Sequence, residues 1–203
     1  MRVSREQAAE NRERVVQTAA RLFREHGFDG IGVADLMKEA GLTHGAFYGH
    51  FGSKDDLMAE ASARALADSL AYWQKRIETA GDDGLPTILA RYLSPAHRDH
   101  PGRGCAFAAL GAEAQRHTPA VRQAMTAGLR PLIEVFSRLL PGRSKAAKRQ
   151  KALAAFSGMV GALVLARAVD DEALSEEILQ AVATSITGTE AARDTPSPDV
   201  PQS

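Results

Sequence analysis

Cysteine occurs once in the 203 residues, at position 105, so no disulfide can close within the chain and a reducing compartment is expected. Net charge is also missing: 25 Lys and Arg face 25 Asp and Glu, so no overall basicity advertises nucleic acid. The opening Met-Arg-Val-Ser-Arg-Glu-Gln has no apolar stretch of the kind that directs secretion. The longest uncharged run, Ala152 to Ala166, has 15 residues. A bilayer needs roughly 20, so this run is expected to be a buried helix of a cytoplasmic protein. No Gly-rich phosphate loop, Gly-x-Ser-x-Gly or His-Glu-x-x-His occurs. The chain is therefore expected to be no enzyme and to carry no cofactor. Its length suffices for a small head and a larger body, each with a core.

What is present is a pattern of short helices near the N-terminus. Ser4 with Gln7 fits a helix start, and Val15, Val16, Ala19, Leu22 and Phe23 make a buried stripe that Gly27 ends. Arg2, Arg5, Arg12 and Arg14 read as a solvated face, with phosphate contact or a minor-groove arm as the alternative. Val33, Leu36, Met37 and Ala40 lie at helical spacing, so residues 33–40 form a second helix. Gly41 suits a left-handed helix end, and Thr43 is placed to cap a third helix over 44–50. There Leu42, Ala46, Phe47 and Phe51 turn inward, leaving His44, Gly45, Tyr48 and His50 outside. Two short helices joined by a glycine turn are a helix-turn-helix, whose second member can enter a DNA major groove.

Residues 27–57 closely resemble the DNA-binding head of the TetR/AcrR transcriptional regulators. The specific part is Phe-Tyr-x-His-Phe-x-Ser-Lys-x-x-Leu, filled here by Phe47 to Leu57. The likeness is sharp over residues 10–60. Beyond them it is mainly helical layout, with Ser94 to Phe107 resembling one branch of the family. Three positions depart from the pattern: Gly32 stands where a capping Ser or Thr is usual, His44 where Lys is frequent, and Gly49 where a larger polar residue is common. The resemblance implies a phosphate grip leaning on Thr43, Tyr48, His50 and Lys54, with His44, Gly45 and Ala46 as the base-edge surface. Ala46 has core packing as its alternative. Residues 1–54 carry eight Lys and Arg against seven Asp and Glu. The nucleic-acid reading thus rests on motif geometry and not on charge.

Ser53 with Asp56 starts a long helix over about 54–79, carrying Leu57, Leu66, Leu70, Trp73 and Ile77 on one side. It joins head to body. Further helices are expected at 85–93, 105–115, 119–140, 145–167 and 175–186, with 94–104 as a loop. Thr118 is placed to cap the 119–140 helix, and Pro131 should kink it, which is one way to open a cavity. Candidate effector contacts are Leu66, Leu70, Trp73, Tyr92, Cys105, Phe107, Leu110, Met125, Leu129 and Phe136. Ordinary core packing is the alternative for the aromatics. In 145–167, Ala154, Ser157, Gly158, Gly161 and Ala162 put small residues on one face, opposite Leu153, Phe156, Met159, Val160, Leu163 and Val164. A helix apolar nearly all round needs cover on every side. A second subunit would cover the small face, with Leu165, Ile178 and Val182 completing the interface; a fully internal central helix is the alternative.

The expected protein is all-α: a three-helix helix-turn-helix head (1–53), a larger helical ligand-binding and dimerisation body (54–189), about nine helices in all, and a disordered tail from 190. Its expected partners are a palindromic double-stranded DNA operator, a second copy of itself and a small-molecule effector, with no membrane. Repression relieved by the effector is the leading function. One alternative is a thiol switch through Cys105, with Arg103 and a helix N-terminus favouring the thiolate. Others are a metal-binding protein using His97, His100 and Cys105, and a helical enzyme. Glu113 and His117, four apart, are a single weak ligand pair. Charge is uneven along the body, +9 over 91–151 and −7 over 170–199.

Overall fold

The computed structural model describes residues 4–188. Arg2 and the expected disordered tail lie outside the described residues, within which there are nine α-helices and no strand. They are α1 (Arg5–His26), α2 (Val33–Glu39), α3 (Lys54–Ala80), α4 (Gly84–Tyr92), α5 (Pro95–Arg98), α6 (Ala106–Leu110), α7 (Pro119–Leu139), α8 (Lys145–Ala168) and α9 (Glu172–Thr187). Short 3₁₀ turns occupy His44–Gly49, Gly81–Asp83, Pro101–Arg103 and Ala114–Arg116.

α1 starts where the Ser4 hydroxyl accepts from the Gln7 N–H at 3.0 Å, and buries Val15, Val16, Ala19, Leu22 and Phe23 against α3. Each large apolar side chain so buried favours folding by about 1.5–3 kcal/mol. Arg12 crosses to Glu60 at 2.5 Å and stacks over Phe51, while Arg64 pairs with Glu13 and Asp68. Arg12 thus links α1 and α3 while its side chain stays 41% exposed to solvent.

α3 is the common wall. It packs on α1, α4 and α7. One continuous apolar core runs from Val15 in α1 to Leu179 in α9. α8 is long and apolar enough, on length and composition alone, to cross a membrane, because the helix extends past the uncharged run. In the fold it packs against α6, α7 and α9, with Ala152, Ala155, Phe156, Met159, Ala162, Leu163 and Ala166 buried. Ser175, at the start of α9, donates to the Ala166 carbonyl at 2.7 Å and accepts from Arg98, which fixes that corner.

Several expectations are corrected. The third helix is a 3₁₀ segment, and the backbone freedom of its two glycines makes an α-turn costly to fix there. Neither Thr43 nor Thr118 caps through its side chain. The 94–104 loop contains α5, because Ser94 accepts from the His97 N–H at 3.2 Å with Pro95 in the first turn. The 105–115 helix stops at Leu110 and resumes as a 3₁₀ turn, and α9 begins at Glu172 with Asp171 as its cap. Pro131 lies inside α7, which continues to Leu139. Leu153 and Val164 are exposed, on the outer side of α8, whereas Ala162 is buried inside the subunit.

Candidate nucleic-acid interface and body cavity

The turn between α2 and the 3₁₀ segment is closed by backbone alone. Gly41 has φ 72°, its N–H donates to the Lys38 carbonyl at 3.0 Å, and the Leu42 N–H donates to the Met37 carbonyl at 2.9 Å. That paired pattern satisfies two free carbonyls of α2 and needs a left-handed residue, which glycine adopts without penalty. Phe47 and Phe51 anchor the segment from below, their ring centres 5.5 Å apart. Tyr48 is held edge-on between Phe47 and His44, and is 68% exposed.

Thr43, His44, Gly45, Tyr48 and Gly49 form the outward face. A Cβ at Gly45 or Gly49 would meet nothing within 4 Å, so internal packing does not demand glycine there. Ala46 is half-buried and packed on the core, which leaves it a weaker candidate for base contact. His50 and Lys54 are half-buried at the edge of this face. The Thr43 hydroxyl, unused as a cap, is free for an outside acceptor.

A cavity of about 640 Å³ opens in the body beneath this head. Of the residues expected to meet an effector, Leu66, Trp73, Tyr92 and Cys105 line it. Leu110, Met125 and Phe136 are instead buried core, and Leu70, Phe107 and Leu129 are half-buried packing outside the lining. Sequence reasoning missed Arg24, which reaches the cavity from the last turn of α1 and donates to the Gly104 carbonyl at 3.1 Å. It also missed Tyr72, Leu132 and Phe156, whose apolar character alone marks core and cavity wall alike.

His97 organises the floor. Its Nδ1–H donates to the Tyr92 carbonyl at 2.7 Å and its Nε2 accepts from the Cys105 N–H at 2.9 Å. These partners require the neutral ring, and burial lowers its pKa below the ordinary value. Both nitrogens being engaged, His97 cannot ligate a metal without giving up a backbone bond. Among the described residues no three His, Cys, Asp or Glu side chains stand together as a metal cluster. Burial pushes the Tyr92 phenol well above its usual range, with the neighbouring Cys105 thiol adding to the effect. Arg167, its pKa lowered by burial, donates to the carbonyls of Arg98 and His97 at 2.9 and 2.8 Å and fixes α5 on α8.

Comparison with known proteins decides the lineage. A family model described as bacterial regulatory proteins, tetR family, matches residues 15–61. The transcriptional regulator AcrR of Shigella flexneri is 37% identical over 59 residues, which cover 29% of this chain and 27% of AcrR. The transcriptional repressor NemR of Escherichia coli K12 is 31% identical over 137 residues, 64% of this chain and 67% of NemR. The chain belongs to the TetR/AcrR family of transcriptional regulators. These relatives are regulators, not enzymes. The crystal structure of reduced E. coli NemR superposes with a TM-score of 0.73 at 23% identity, covering 88% of this chain and 96% of that one, which places the regulator in the same fold. The chain spans about a quarter of AcrR in that match.

Proposed function

We propose that this regulator is a cytoplasmic homodimeric repressor that binds a roughly palindromic operator and releases it when a small molecule fills the body cavity. Residues 1–53 act as the head and 54–189 as the body. Tyr48, Lys54, Thr43 and His50 grip phosphates, and His44 and Gly45 approach base edges, with Ala46 behind them. The observation that carries the reading is that the cavity wall is shared: Arg24 belongs to the head's own α1, and Leu66 and Trp73 to the α3 that head and body both use. A ligand there presses on the helices that set the distance between two heads. Coupling of about 1–3 kcal/mol lowers operator occupancy five- to 150-fold.

For the dimer, α8 and α9 offer an outer face carrying Ala154, Ser157, Gly161, Val164 and Leu165, with Gly158, Ile178 and Val182 half-buried beside it. The test is fluorescence anisotropy on fragments of the DNA flanking the regulator's own coding region, at low salt. Two-fold-symmetric binding by a dimer supports the reading, and indifference to every fragment sinks it.

A thiol switch is the second reading, favoured by the position of Cys105 on the cavity wall beside Arg24. N-ethylmaleimide should then abolish operator binding in the parent and leave Cys105→Ser unaffected.

A further inference from the structure

The cavity is unbalanced in charge and in hydrogen bonding. Three arginines, Arg24, Arg91 and Arg103, reach it against one acid, Asp68, which already accepts two bonds from Arg64 at 2.9 and 3.1 Å. Two buried polar atoms among its lining residues lack an oxygen or nitrogen partner: Arg24 Nε, and the Tyr92 hydroxyl, on a side chain 2% exposed, whose one polar neighbour is the weakly accepting Cys105 thiol. Both residues sit beside Cys105, whose thiol weighs on the ionisation of each, so they converge on one wall. Burial lowers the Arg24 pKa, as expected of a guanidinium short of counter-charge.

A guanidinium only donates, and a buried phenol whose one neighbour is a thiol donates more readily to an oxygen acceptor. Each donor left unmade in the interior costs about 1–3 kcal/mol, more where charge is involved. The missing group is therefore an acceptor, and beside arginine an anion. The same cavity is lined by Leu66, Leu132, Phe156 and Trp73, whose ring lies 6.3 Å from that of Tyr92, a surface suited to a flat apolar body.

We propose that the cavity takes a small aromatic carboxylate, its ring against Trp73 and Leu66 and its carboxylate accepting from the Arg24 guanidinium and drawing the Tyr92 hydroxyl away from the Cys105 thiol. The assignment rests on reading the cavity as the effector site. It also sets the ligand against the head, since Arg24 belongs to α1 and its Nη1 ties that helix to the Gly104 carbonyl of the body at 3.1 Å.

The test uses the full-length protein and three probes sharing one ring system: naphthalene-2-carboxylate, 2-naphthylmethanol and 2-naphthylmethylamine, titrated by calorimetry near neutral pH. The carboxylate should bind about tenfold or more tighter than the alcohol, and the amine should not bind. Tyr92→Phe keeps the packed ring and loses only the hydroxyl. It and Arg24→Gln should each bring the carboxylate close to the alcohol measured in the same variant. Equal affinity for acid and alcohol in the parent, an undiminished preference in both variants, or no heat from any probe overturns the assignment. Operator binding separates the two layers of the argument. If the carboxylate binds as stated yet leaves DNA affinity unchanged at saturation, the anion site stands and the effector reading falls. If the alcohol releases DNA as well as the acid does, the effector reading stands and the anion assignment falls.

Discussion

Glu113 of the body accepts a hydrogen bond from the backbone N–H of Phe28, just past the end of α1, at 2.8 Å across 85 positions of chain. Gly27 makes room for it, since a Cβ there would lie 2.7 Å from the Glu113 carboxylate and φ is 80°. Nearby, the His117 ring lies 3.8 Å from Asp29 and 3.7 Å from Asp55, and its ring meets Phe28 edge-on. The loop behind α6 thus clasps the head from the body side. Glu113→Ala strands the Phe28 N–H and should cost about 1–3 kcal/mol, read as a lower urea midpoint. If the clasp also transmits the ligand signal, effector-induced release of DNA shrinks in the same variant. An unchanged midpoint would show the bond to be dispensable.

His97 sets a pH dependence. Burial holds its folded pKa below that of the unfolded chain, with Arg167 and other cations adding to the effect against the Tyr92 carbonyl. Protonation would turn Nε2 from an acceptor into a donor facing the Cys105 N–H. The unfolded state therefore binds more protons as pH falls through about 6.5, so stability is full above that pH and declines below it. His97→Gln should lose less stability than the parent between about pH 7.5 and 5.5, measured by urea midpoints at the two pH values. Parallel declines would remove His97 as the source.

How far the residues foretold this clasp and cavity differs by link. The helices were legible because Val15, Val16, Ala19, Leu22 and Phe23 repeat at helical spacing and because Ser4, Ser53, Gly27 and Gly41 mark their ends. The outward Tyr48 followed from the inward Phe47 and Phe51. The cavity was half legible. Trp73 and Tyr92 signal a large apolar wall, but nothing in a periodic pattern says whether such a wall faces a void, as Leu66 does, or solid core, as Phe136 does. Arg24 and Glu113 act across 80 and 85 residues of chain, and pairings at that range leave no local mark. Glu113 and His117 looked like a weak metal pair and serve instead as contacts to the head.

The phosphate grip proposed for the head predicts a salt signature. Lys54→Gln should weaken binding to operator and unrelated DNA alike and flatten the salt slope by about one unit, the counterion released by one lost contact. Tyr48→Ala, which removes the side chain standing out from the 3₁₀ segment, should also weaken binding on every sequence. Competition binding over a salt series reads both. A variant with the parent's slope and affinity takes that residue out of the interface.

The dimer prediction turns on which glycine is tested. A Cβ at Gly158 would meet Val182 at 3.6 Å within the same subunit, so a leucine there disturbs the α8–α9 packing before it reaches any partner. Gly161 has nothing within 4 Å and lies on the face shared with Leu165, which is 56% exposed. Leu165→Glu places a charge at the centre of that face without touching the subunit's own core. Desolvating an unpaired carboxylate there costs several kcal/mol, enough to turn a dimer into monomers at micromolar concentration. Sedimentation should show the monomer with an unchanged helical spectrum, and operator affinity should fall because one head binds half a palindrome. A Leu165→Glu protein that still sediments as a dimer would mean that the subunits meet through another surface.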